Sequence, residues 1–199
     1  MSTTSPVTVG MDFIEALEVL RDVRGDEVLV TTMGAAREWP RIATNELDFH
    51  YIPAAMGHAP MIALGIAIAP PERHVIVLNG DGSLLMSLGC LVTITASGAQ
   101  NLTMIVSDNG VYEVTGGQKT AAAGQPIDFL GFARAAGFRS VVAFDDLGHW
   151  RAGVQSALSA PGPRFILLKV GQTAGEDKSV PIPGPIAPRV EQLRATLTG

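Results

Sequence analysis

Residues 75–83, Val75-Ile76-Val77-Leu78-Asn79-Gly80-Asp81-Gly82-Ser83, decide how this chain folds. Four aliphatic residues in a row, with no polar alternation, read as a strand buried on both faces. The glycines around Asp81 let the backbone turn sharply at the strand's exit and come close to a ligand. Ser83 stands where a helix can begin, so its hydroxyl and the nearby N–H groups would meet a phosphate oxygen. Twenty-eight residues after Asp81, Asn109 follows a second apolar run in Asp108-Asn109-Gly110-Val111-Tyr112. Each half puts an oxygen ligand at the end of a buried strand. Two such ends on neighbouring strands can hold one Mg2+ and the diphosphate it bridges. Asp81 would give a carboxylate, Asn109 an amide oxygen and Val111 its carbonyl, with phosphate oxygens completing an octahedral shell. Taken alone, Gly-Asp-Gly is a common turn and Asn-Gly a hairpin signal. Their order behind two strands favours the ligand site.

Outward from this stretch, apolar residues at helical spacing (Phe13, Ile14, Leu17, Leu20, Val23) mark a first helix ending near Gly25. Val28–Thr31 reads as a strand, followed by a loop at Met33-Gly34 and a helix through Trp39. A short strand at Leu47–Ile52 and a buried helix at Gly57–Ala69 come next, then the strand His74–Leu78. A helix at Leu88–Ser97 leads to the strand Leu102–Val106. Helices at Asp128–Ala136 and Leu147–Leu158 alternate with strands at Val141–Phe144 and Phe165–Val170. The alternation predicts an α/β fold, a three-layer doubly wound parallel sheet. Ligands in such sheets bind beyond the carboxyl ends of strands, where Thr32, Asp81 and Asn109 fall. Val111–Gln125, rich in Gly, Ala and Thr, reads as a segment that orders over a ligand or partner rather than a plain surface loop. Residues 1–175 form the domain. In 176–199, Pro181, Pro183, Pro185 and Pro188 predict an extended tail, with a short helix at Arg189–Leu197, packed on a partner or partly mobile.

With 199 residues, 47% of them hydrophobic and 17% charged, the chain can bury a full core and has apolar surface to spare for a subunit interface. A net charge of −5 without a basic stripe argues against nucleic acid. The single Cys90 excludes an internal disulfide and a Cys-rich cluster, and reads as a small buried thiol. Met1–Pro6 lacks the pattern of a signal peptide, and the longest apolar run, Met61 to Ala69, is too short to span a bilayer. The expectation is a soluble cytoplasmic protein without membrane contact.

The Gly-Asp-Gly and Asp-Asn-Gly elements resemble the two ends of the thiamine diphosphate motif. The segment Gly80–Thr120, with Thr115-Gly116-Gly117-Gln118-Lys119-Thr120, is similar to the cofactor-binding subunit of sulfopyruvate and phosphonopyruvate decarboxylases. Ala55-Met56-Gly57-His58-Ala59 and Thr31-Thr32-Met33-Gly34 with Arg37-Glu38 resemble the same family upstream. The resemblance implies the thiamine diphosphate-binding, or PP-domain, fold, with thiamine diphosphate and Mg2+ as cofactors. It implies that Met56 wedges the cofactor into a V shape, and that the Ala54 carbonyl and Met56 N–H meet the pyrimidine. Gly34 and Ala35 would meet the diphosphate through backbone N–H groups, beside Gly80, Asp81, Gly82 and Ser83. Tyr112 would either hydrogen-bond a phosphate oxygen or pack as a half-buried aromatic. His58, and less so His50, are the candidate titrating groups. Glu113 stands where relatives have glycine, and its carboxylate would oppose a sulfonate or phosphonate substrate.

Members of this family use a glutamate on a separate pyrimidine-binding domain. With only a short helix ahead of Val28, the chain is expected to receive it from a second polypeptide (an alpha subunit), giving a hetero-oligomer that decarboxylates a small 2-oxo acid to an aldehyde and is silent without its partner. Three alternatives stay open. They are a carboligase of the acetolactate synthase kind, a ferredoxin-coupled oxidoreductase (disfavoured by one cysteine) and a non-catalytic cofactor-binding module. A nucleotide-binding domain is disfavoured, because no G-x-G-x-x-G or Walker sequence follows a strand.

Overall fold

The structure is a computed structural model that describes residues 10–51, 56–173 and 184–198. Asp12 opens the first helix, α1 (Phe13–Val23), by accepting a hydrogen bond from the Glu15 N–H at 3.0 Å. Its apolar positions Phe13, Leu17 and Leu20 face inward, as the spacing requires. Strand β1 (Val28–Thr32) leads into α2 (Met33–Ile42), and β2 (Asp48–Tyr51) precedes α3 (Ala59–Ile68). Strand β3 (Val75–Gly80) runs directly into the short α4 (Asp81–Leu85), followed by α5 (Gly89–Ala96) and β4 (Leu102–Asp108). A small antiparallel hairpin, β5 (Val111–Tyr112) and β6 (Gln118–Lys119), separates this half from α6 (Phe129–Ala136), β7 (Ser140–Phe144), α7 (Leu147–Ser159), β8 (Arg164–Lys169) and α8 (Ile186–Thr198). Helix α6 starts on Asp128, which accepts from the Gly131 N–H, and stops at Gly137, whose φ of 102° suits glycine.

Six strands pair in the order β2-β1-β3-β4-β8-β7, every pair parallel. The chain moves outward from β1 to β2 and then returns to place β3 on the other side of β1. The carboxyl ends of β1 and β3 therefore flank the crevice where the direction of winding switches. On one face of the sheet, Val30, Val77 and Met104 pack with residues of α3, α5, α6 and α8. On the other, Leu29, Ile76 and Ile166 pack with residues of α1, α2 and α7. This is the three-layer α/β architecture read from the unalternated strands. The first two helices are tied to the edge strand by a buried cluster. Arg24 pairs with Asp48 and lies over the Trp39 ring, while the Trp39 indole N–H donates to Asp48 at 3.1 Å.

Three local expectations need correction. The loop expected at Met33-Gly34 is absent, and α2 starts at Met33 itself, with that residue at φ 54°. A helix begins at Asp81 instead of near Ser83, directly after the extended Gly80. The tail expected to pack on a partner or stay partly mobile instead returns to this chain over its described part. Leu193 of α8 is buried in the core, and Arg189 lies over the Phe49 ring and donates to the His50 carbonyl. Leu193 and Leu197, within the helix expected at Arg189–Leu197, supply the docking face. The strand end at Ile52, and Pro181 and Pro183, lie outside the described residues. No helix among the described residues is long and apolar enough to cross a membrane.

Candidate functional site

The carboxyl ends of β1, β3 and β4 open into a cleft with about 520 Å³ between its walls, counting the part open to solvent. The parallel register explains why distant residues meet there. Gly80 pairs with Ser107, so Asp81 leaves β3 beside the segment Asp108-Asn109 that ends β4. Gly34, Ala35, Met56 and Gly80 through Ser83 line the cleft, as do Asn109, Val111 and Tyr112. Ala54 lies outside the described residues. His58 does not line the cleft. It is exposed ahead of α3, with Nδ1 3.2 Å from the Met56 carbonyl oxygen. His50 sits on β2 away from the cleft, its Nδ1 2.8 Å from the Thr31 hydroxyl, and burial pushes its pKa down.

Asp81 is only 1% exposed, and loss of water pushes its pKa up to about 6. A hydrogen bond from the Thr120 hydroxyl, at 2.9 Å, opposes that rise, and the charge of Asp108 adds to it. A buried carboxylate with only neutral donors, the Thr120 hydroxyl and the backbone N–H groups of Asp81 and Gly82, is short of positive charge. The Asn109 side-chain oxygen accepts from the Val111 N–H at 3.0 Å, a local turn that carries the amide and the Val111 carbonyl together. The Ser83 hydroxyl, expected to meet phosphate, accepts from the Gly57 N–H at 2.8 Å and thereby pins the Met56 segment to α4.

Two glycines have separate reasons. A Cβ on Gly82 would lie 2.4 Å from the Tyr112 ring, so Tyr112 can pack there only against glycine. Tyr112 is half-buried and lines the cleft. A Cβ on Gly80 would meet nothing within 4 Å, and its backbone is ordinary, so this glycine keeps space open at the floor.

The hairpin Val111–Lys119 closes one side. Thr120, beyond it, bonds to Asp81 through its hydroxyl and to the Gly110 carbonyl through its N–H. On the far side Glu113, in a single 3-10 turn, accepts from the Thr173 N–H at 2.5 Å and from its hydroxyl at 3.0 Å. Glu113 lines the cleft next to Gly34, as expected of its position, but one carboxylate oxygen is held by the segment after β8.

Thr120 and Phe13, which no local motif marks, join Thr32, expected here only as a strand end, and all three are buried against or in this cleft. A hydroxyl or amide inside an apolar strand was the available signal for Thr32 and for Asn79, the residue before Gly80. Among the described residues no group of three His, Cys, Asp or Glu side chains could hold a metal. The donor set is one carboxylate, one amide and one carbonyl. That suits Mg2+ sharing its shell with phosphate and water rather than a metal held by protein alone. The orphaned Thr32 hydroxyl and the open floor at Gly80 fit a phosphate-bearing ligand as well.

Residues 31–168 match the family model described as thiamine pyrophosphate enzyme, C-terminal TPP binding domain. Phosphonopyruvate decarboxylase of Streptomyces viridochromogenes is 36% identical over 187 residues, covering 92% of this chain and 46% of that protein. Sulfopyruvate decarboxylase subunit beta of Methanothermobacter thermautotrophicus is 38% identical over 161 residues, covering 80% of this chain and 82% of the subunit. The chain therefore spans less than half of the first relative and most of the second. A crystal structure of benzoylformate decarboxylase from Polynucleobacter necessarius superposes with a TM-score of 0.65 at 19% identity, covering 85% of this chain and 35% of the other, which supports the fold.

Proposed function

Because the chain belongs to the thiamine pyrophosphate enzyme family as its C-terminal, TPP-binding domain, we propose that it is the beta subunit of a split 2-oxoacid decarboxylase. The substrate class is a short 2-oxo acid with an acidic tail, of the sulfopyruvate or phosphonopyruvate kind. The convergence of Asp81, Asn109 and Val111 on one cleft at the switch point carries this reading. Asp81, Asn109 and the Val111 carbonyl would hold Mg2+, and the N–H groups of Gly34 and Ala35 at the start of α2 would meet the diphosphate. When bound, thiamine diphosphate supplies the electron sink into which the substrate's carboxylate carbon–carbon bond breaks. Met56, whose neighbour Gly57 is held by the Ser83 hydroxyl, would pack against the bound cofactor. Tyr112 and the hairpin keep water from one side of the cleft. His58, exposed two residues beyond Met56 and outside the cleft lining, would move a proton only for a substrate that reaches its open side.

The activating glutamate comes from a partner, the alpha subunit carrying the pyrimidine domain. Glu113 is the sole glutamate among the described residues that line the cleft, and Thr173 engages it. A 38% identical relative that is named the beta subunit of sulfopyruvate decarboxylase supports a divided enzyme. Co-expression with the neighbouring reading frame, followed by assay against a panel of 2-oxo acids, tests the proposal. Carbon dioxide release is expected from the pair and not from the chain alone; robust turnover without a partner would refute the split arrangement. His58→Gln is expected to lower kcat of the pair about tenfold or more without changing cofactor affinity. An unchanged kcat removes His58 from the mechanism.

A further inference from the structure

Three buried polar atoms near the carboxyl ends of β1 and β3 have no hydrogen-bond partner: the Thr32 hydroxyl and both the nitrogen and the oxygen of the Asn79 side-chain amide. Each residue is only 1% exposed. They are neighbours across the sheet. The last β1–β3 pair is Thr31 with Leu78, and Thr32 and Asn79 come one step later. The pair Val30 and Val77 points to the face covered by α3 and α5, so two residues on, Thr32 and Asn79 point to that face too. Thr32 also lines the cleft.

Thr32 occupies the position before α2, where a threonine hydroxyl ordinarily caps the helix, yet it makes no such bond. The first N–H groups of a ten-residue helix are left without a side-chain cap next to an idle hydroxyl. A buried, unsatisfied polar group is costly, and Val or Leu of nearly the same shape would remove the cost at each position. The chain keeps the polar residues at the one place where the winding switches and an anion would sit.

Resting on the cofactor reading above, we propose that Thr32 and Asn79 form a binding subsite. It takes a phosphate oxygen of the bound diphosphate, directly at Thr32 and through one held water at Asn79. The ligand completes hydrogen bonds that the cofactor-free chain leaves open. The pair therefore lowers the stability of the empty protein and raises its affinity for a phosphorylated ligand.

The test is a pair of readouts on Thr32→Val and Asn79→Leu, with Thr32→Ser as the conservative control. Melting of the chain without cofactor is expected to rise by about 2–4 °C in Thr32→Val, since an unpaired hydroxyl is replaced by an isosteric methyl. Binding of thiamine diphosphate and of inorganic pyrophosphate, each with Mg2+, is expected to weaken about tenfold in the same variant. Thiamine without its phosphates is expected to bind wild type and variant alike, and Thr32→Ser to stay within about twofold of wild type. A lower melting temperature in Thr32→Val would show that the hydroxyl already serves the empty fold, and would overturn the proposal. Equal pyrophosphate affinity in wild type and Thr32→Val would overturn it while leaving the cofactor reading intact. A wild-type chain, with its partner present, that ignores both thiamine diphosphate and pyrophosphate would sink the cofactor reading and this proposal together.

Discussion

The two ends of one parallel sheet are built to opposite rules. At the amino ends of β3, β4 and β8, polar side chains are closed on each other. The Asn101 amide donates to the Ala67 and Arg73 carbonyls at 2.8 and 2.7 Å. His74 Nε2 lies 2.8 Å from the Thr103 hydroxyl and 3.1 Å from Arg164, whose guanidinium also donates to the Ala160 and Gln100 carbonyls. At the carboxyl ends, Thr32 and Asn79 hold unpaired polar atoms, Asp81 is buried with too little positive charge, and Met33 sits at φ 54°. One end is satisfied internally and serves stability. The other stores unsatisfied bonds that a ligand can complete, a known trade of stability for function.

The largest expected effect separates these ends by affinity. Asp81→Ala should weaken Mg2+-dependent binding of thiamine diphosphate by about a hundredfold or more, because the proposed site gives that carboxylate to the ion. Asn101→Ala should leave that affinity unchanged and cost about 2–3 kcal/mol of stability, by stranding two carbonyls. Isothermal titration and denaturant unfolding of both variants give the two numbers. Comparable losses of affinity in both would erase the distinction between the ends.

The next effect is one of sign. Burial raises the Asp81 pKa from 3.8 to about 6, so the folded, cofactor-free chain binds more protons than the unfolded chain in that window. Its contribution to stability is greatest below about pH 4, falls as pH rises toward 6, and is flat above. His74 runs the other way. Burial and then Arg164 lower its pKa from 6.5 to about 4, so stability is lost as pH falls from 6.5 through 4. Each slope is at most about 1.4 kcal/mol per pH unit, and the two oppose each other. Asp81→Asn should expose the His74 slope, and His74→Gln the Asp81 slope, in unfolding curves taken from pH 4 to 7. Parallel pH profiles in the two variants would contradict the assignment. Metal competes with the same proton, so Mg2+-dependent affinity should fall as pH drops below about 6.

The smallest effect concerns the hairpin over the cleft. Glu113→Ala removes its hold on Thr173, and hydrogen exchange at residues 111–119 should speed up by about tenfold, corresponding to one charged hydrogen bond. Glu113→Gln should fall between wild type and Glu113→Ala. Unchanged exchange in Glu113→Ala would mean that Thr120 alone anchors the segment.

Much of this was legible in the chain. The buried strands announced themselves through unbroken aliphatic runs, and the helices through spacing and caps such as Asp128 and Gly137. Gly80–Ser83 and Asn109–Tyr112 were readable because each combines a strand exit with an oxygen donor. The final helix was legible at Arg189–Leu197 but its docking on this chain was not, and the helical start at Met33 was hidden by a backbone angle that no propensity favours. The hold of Thr173 on Glu113 joins residues 60 positions apart, a spacing that carries no local pattern.

Residue order by itself settled which segments become strands and helices, that the strands run parallel under two covering layers, and which side chains stand at strand exits. Local chemistry suffices there, since periodicity and turn residues act over a few positions. Only the tertiary structure decided that β3 lies beside β1 and β4, that Thr120 caps Asp81 and that Ser83 serves Gly57. It alone left Thr32 and Asn79 adjacent and unpaired. Strand order and burial arise from contacts far apart in sequence, and whether a polar atom finds a partner depends on them.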